Sequence, residues 1–189
     1  VRDMSYIYGN DSVKLVVLHT GEETCIYEFD EVGNIYKKIA LDSSFNDFNQ
    51  GLCLLPVSDE KFIVSRGNEL FFIDSNAQVI GSASIEGNVS SLIAAKNNEI
   101  YAITDKNTQY GYEKHVCKID IRNMCVTDDE VLANDVIGCF AYEDGLALVY
   151  SGKISIFHIG QEDEKDIIDL NVLNLISSEI VHIFTDNDE

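Results

Sequence analysis

The sequence predicts an all-β chain: about four units, each of four antiparallel strands, followed by one extra strand. Three observations predict it. Apolar runs rich in Val, Ile, Leu, Tyr and Phe recur at strand length rather than helix length. Gly, Asn and Asp clusters punctuate them every six to ten residues, and the single proline is Pro56. A strand–turn–strand segment also repeats along the chain, and a second hairpin precedes each copy.

The repeated segment reads CIYEFDEVGNIYKKIAL (25–41), ELFFIDSNAQVIGSASI (69–85), HVCKIDIRNMCVTDDEV (115–131) and KISIFHIGQEDEKDIID (153–169), at spacings of 44, 46 and 38 residues. Asp30, Asp74 and Asp120 close its first strand, and His158 stands there in the fourth copy. The preceding hairpin reads SYIYGNDSVKLVVL (5–18), LCLLPVSDEKFIVS (52–65), SLIAAKNNEIYAIT (91–104) and GCFAYEDGLALVYS (138–151). Together they make four strands per 38 to 46 residues, the size of a propeller blade. One twisted four-stranded sheet cannot bury both faces alone, whereas radially stacked sheets bury face against face. The expected blades span 4–41, 48–85, 89–132 and 136–172, with central strands near 13–20, 60–65, 99–104 and 145–151.

EIVHIFTD (179–186) reads as an extra strand. Either it closes the ring, or the chain is a fragment of a larger propeller, because an open ring leaves unpaired edges. DIIDLNVLNLIS (166–177) fits a strand or a short helix with Ile168, Val172, Leu175 and Ile176 on one face.

The apolar–Asp–x–x–Gly turn of FDEVGNIY (29–36) resembles those of the β-propeller superfamily, in particular six-bladed and quinoprotein-like repeats. The Trp-Asp dipeptide of WD40 repeats is absent, since the chain has no Trp. IYEFDEVGNIYKK (26–38) is also similar to the tyrosine-aspartate repeats of Rhs-type toxin shells. Those recur at about half this period, and the other three copies lack the pattern.

Charge narrows the classes of partner. With 33 acidic and 13 basic residues the formal balance is −20, a field that repels nucleic acid and anionic lipid and attracts cationic partners. Apolar runs are too short to span a bilayer, and the N-terminus lacks the apolar segment of a signal peptide. Five cysteines without C-x-x-C spacing suit buried thiols in a reducing compartment, so the cytoplasm is the expected location.

Motifs for catalysis or cofactors are missing. There is no Gly-rich phosphate loop and no G-x-S-x-G elbow. His115 and Cys117 share a strand face but make only a two-ligand pair, and TDNDE (185–189) lacks the glycine and distal glutamate of a calcium loop. No metal, cofactor or catalytic residue is expected.

The informative loops lie on one rim. Between a blade's second and third strands sit short turns at Gly21, Gly67 and Gly152, but blade three carries the longer DKNTQYGYEK (105–114) with Tyr110 and Tyr112. The first connection between blades, DSSFNDFNQ (42–50), sets Phe45 and Phe48 in polar company. Aromatics exposed in loops mark binding sites. The opposing reading is that Phe45 and Phe48 fold back to plug the gap between blades. The leading expectation is therefore a non-enzymatic protein–protein interaction module, binding or neutralising a basic protein through Phe45, Phe48, Tyr110 and Tyr112. Two rivals remain: an enzyme or small-ligand binder using the central channel, and a structural fragment of a multi-domain protein. The first strands LCLLPV, SLIAA and GCFAY are too apolar to favour a polar channel.

Overall fold

The computed structural model describes residues 3–8, 13–46, 51–58, 60–95, 98–133, 135–142, 145–160 and 165–169. Blade one holds β1 (Asp3–Tyr8), β2 (Val13–Thr20), β3 (Thr24–Phe29) and β4 (Ile35–Ala40). Blade two holds β5 (Leu54–Ser58), β6 (Lys61–Arg66), β7 (Glu69–Asp74) and β8 (Val79–Ser84). Blade three holds β9 (Asn88–Ala94), β10 (Ile100–Thr108), β11 (Gly111–Asp120) and β12 (Cys125–Leu132). Blade four holds β13 (Gly138–Tyr142), β14 (Gly145–Val149), β15 (Lys153–Phe157) and β16 (Lys165–Asp169). Each sheet keeps chain order, all pairs are antiparallel, and the helical content of the described residues is one 3-10 turn, Ser43–Asn46. The expected all-β array of four four-stranded blades is therefore the observed fold. The ambiguous segment is strand through Asp169, and the expected extra strand at 179–186 lies outside the described residues.

Radial packing follows from strands apolar on both faces. Along β6, Phe62 and Val64 pack into the seam with blade one, while the intervening Ile63 packs into the seam with blade three. β10 does the same: Ile100 and Ala102 face blade two, and Tyr101 and Ile103 face blade four. The first strands stand side by side, β1 next to β5, β5 next to β9 and β9 next to β13. At the periphery β8 meets β12, where Met124 lies over Gly81. In every blade the pairing of third and fourth strands carries a register shift, at Glu28/Phe29, Phe72/Ile73, Lys118/Ile119 and Ile154/Ser155. The bulge adds local twist just before Asp30, Asp74 and Asp120 in blades one to three, and two residues earlier in the repeat in blade four.

The repeated aspartates build the turns after these bulges. Asp30 Oδ1 accepts the backbone N–H groups of Val32 (3.1 Å) and Asn34 (2.7 Å), and Asp74 Oδ1 accepts those of Asn76 (2.8 Å) and Gln78 (2.9 Å). Asp120 Oδ1 accepts those of Arg122 (2.8 Å) and Asn123 (3.1 Å). Such bonds favour the carboxylate, so all three acids are held below the ordinary Asp value: by the Asn34 side chain first at Asp30, by backbone N–H groups first at Asp74 and Asp120. A depressed acid contributes stability that is fully present above its unfolded value of about 3.9 and is lost as pH falls through the folded value. The thermal midpoint should hold from neutrality to about pH 4 and then fall. Asp30→Asn, Asp74→Asn and Asp120→Asn together should flatten that acid limb in calorimetry. An unchanged limb would show that other carboxylates govern acid unfolding.

Candidate rim for partner binding

The longer loop expected in blade three is not a loop. β10 and β11 continue as a paired ribbon, with Asp105 opposite Lys114, Lys106 opposite Glu113, Asn107 opposite Tyr112 and Thr108 opposite Gly111. β9 stops pairing at Asp105 and β12 at Lys114, so residues 106–113 project as a two-stranded arm. Two ion pairs brace its base: Lys114 Nζ to Asp105 Oδ1 at 3.0 Å, and Lys106 with Glu86 of the blade-two connector. The Thr108 hydroxyl donates to Gly111 O (3.1 Å) and accepts the Tyr110 N–H (3.2 Å), which closes the tip. Tyr110 is 87% exposed and Tyr112 is 74% exposed.

Phe45 corrects the expectation. It is 2% exposed and sits edge-on to Phe71 of β7, with ring centroids 4.9 Å apart and the Arg66 guanidinium over both rings. Hydrogen bonds fasten the turn to both blades. Thr24 Oγ1 donates to Phe45 O (3.0 Å), Thr24 N donates to Asn46 Oδ1 (2.9 Å), and Arg66 Nη1 donates to Ser44 O (2.8 Å). Phe45 fills the gap between blades one and two, because burying the ring where the connector crosses that seam takes a large apolar surface out of water. It is not a surface a partner can reach. Phe48 lies outside the described residues.

His115 and Cys117 do share a face, and the β11–β12 register sets Asp129 opposite Cys117. Asp129 Oδ1 lies 2.7 Å from His115 Nδ1 and 3.6 Å from Cys117 Sγ, while Glu113 Oε2 lies 3.6 Å from His115 Nε2. The imidazole thus faces carboxylates rather than the thiol. Burial first, and then the Asp129 charge, push the Cys117 thiol up to about 12. Burial alone lifts Cys139 to about 12 and dominates at Cys53, which rises to about 11. A thiol so shifted carries almost no thiolate at neutral pH, so none of the three is an activated nucleophile. All five cysteines are unpaired. Among the described residues no three His, Cys, Asp or Glu side chains are arranged to hold a metal ion, and no helix is long and apolar enough to cross a membrane. His158 packs its ring against Gly145 of the neighbouring strand. His182 and TDNDE lie outside the described residues.

Asp3 is a polar group on the first strands. Its Oδ2 accepts the Leu54 N–H at 2.7 Å, bridging β1 to β5, and burial raises its pKa against that bond. On the opposite rim an open groove of about 470 Å³ runs past Asn98, Lys118, Asp120 and Arg122. Its Lys118 is tied to Glu99.

Four antiparallel blades packed face to face, with first strands adjacent, make the chain a β-propeller array. No protein-family model matches it, and no curated protein matches it. Solved structures do. A protein of unknown function from Bacteroides caccae superposes with a TM-score of 0.62 at 13% identity, over 88% of this chain and 66% of that one. The WD40 domain of SCAP from fission yeast superposes with a TM-score of 0.51 at 8% identity, over 87% of this chain and 51% of that one. At such identities the likeness is one of fold, and this chain spans less than two thirds of either neighbour's length.

Proposed function

We propose that this chain is a non-enzymatic interaction module that binds a basic protein through the rim carrying the blade-three arm. The observation behind this reading is the arm itself. Two tyrosines, 87% and 74% exposed, stand on a braced ribbon that projects beyond the sheet. Aromatic side chains of this kind supply large contact area at low entropic cost, and a scaffold gains nothing in stability by leaving them in water. The balance of −20 supports the choice of partner, because it favours encounter with a cationic surface and opposes nucleic acid and anionic membranes. Phe48 stays a candidate on the same rim by sequence alone. The raised, unpaired thiols suit a reducing compartment such as the cytoplasm.

A photoreactive amino acid at position 110 tests this reading in the native cell, with position 75 on the opposite rim as its control. The expected result is an adduct with a protein of high isoelectric point from position 110 and none from position 75. Equal adducts from both positions, or an acidic partner, would contradict it.

A further inference from the structure

We infer that the arm and Ile137 form a docking corner over the seam between blades three and four, which takes an extended partner segment bearing both cationic and apolar side chains. This rests on the interaction-module reading. Tyr112, Lys114 and Val116 alternate along β11 and so share a face. Val116 is buried in the seam with Leu132 and Val136. Tyr112 therefore rises from the same seam that Val136 fills, and the next residue, Ile137, is 57% exposed. Ile137 is fixed there by its own N–H, which donates to Val149 O at 2.8 Å.

Of the exposed apolar residues, Tyr110, Tyr112 and Ile137 lie at one end of blade three and on its connector. A wall of two tyrosines beside an apolar ledge fits an extended chain better than a flat surface. The local charge sets the sign of the occupant. Both lysines of the arm are already paired, with Glu86 and Asp105, so the exposed carboxylate of Asp135 on the connector sets the local sign. A second copy of this chain carries the same −20 and is repelled.

The full chain, labelled with nitrogen-15, should be titrated with a short peptide of alternating Lys and Leu, with an alternating Glu and Leu peptide as control. The expected shifts fall on Thr108–Glu113 and Asp135–Gly138 with the basic peptide alone. Tyr112→Ala with Ile137→Ser should weaken binding about tenfold, since truncated anchors dominate such contacts. Val32→Ser, on the opposite rim, should leave it unchanged. All three side chains are exposed, so the variants fold. Shifts spread over the acidic surface, with equal affinity for every variant, would overturn the corner and leave the interaction reading standing. No binding of the basic peptide by any form would overturn both.

Discussion

Phe45→Ala will lower stability by about 3 kcal/mol and the melting midpoint by roughly 6–12 °C. The ring is 2% exposed, and its edge-to-face contact with Phe71 and the Arg66 guanidinium are lost together. The remaining cavity lies between two blades that are each pinned by strand pairing, so it collapses only partly. Phe45→Leu should lose clearly less, because it keeps most of the apolar volume. Calorimetry on the three proteins decides the matter. A Phe45→Ala midpoint within error of wild type would mean the ring does not plug the seam.

Gly87→Ala is the second large effect, and Gly33→Ala is its internal standard. Both glycines have φ of 85°, in the left-handed region that L residues occupy at a cost. A Cβ on Gly33 meets nothing within 4 Å, so only the conformational cost applies, about 1 kcal/mol. A Cβ on Gly87 would stand 2.9 Å from the Asp105 carbonyl oxygen and 3.2 Å from Thr104 Oγ1. Asp105 is paired on both sides, to Asn88 and to Lys114, and cannot retreat without opening the sheet. Gly87→Ala should therefore cost about 3 kcal/mol, with the excess over Gly33→Ala measuring the clash alone. Equal costs in urea unfolding would show that the connector between blades two and three yields.

Much of the fold was legible because each blade repeats two local signals: an apolar hairpin, and an aspartate whose carboxylate can close a turn on the backbone. Asp30, Asp74 and Asp120 act through bonds to residues two to four positions on, which sequence displays directly. The site was only half legible. Tyr110 and Tyr112 stood out as aromatics, yet their polar neighbours read as loop, since pairing across 105–114 depends on the strands beneath. Phe45 read either as plug or as contact. What decided it were Phe71, Arg66 and Thr24, all distant in sequence. Ile137 gave no signal at all, because an isolated isoleucine in a connector is buried or exposed according to a seam formed elsewhere.

Association and dissociation rates of the partner captured at position 110, measured across ionic strength, test the interaction account most directly. The account predicts that association slows with salt for wild type and for Tyr110→Ala/Tyr112→Ala alike, because screening shortens the acidic field to about 8 Å at physiological strength. It predicts that dissociation of the double variant alone rises by about thirtyfold, since the anchors hold the complex once formed. Identical dissociation rates, with the variant's fold intact, would contradict it.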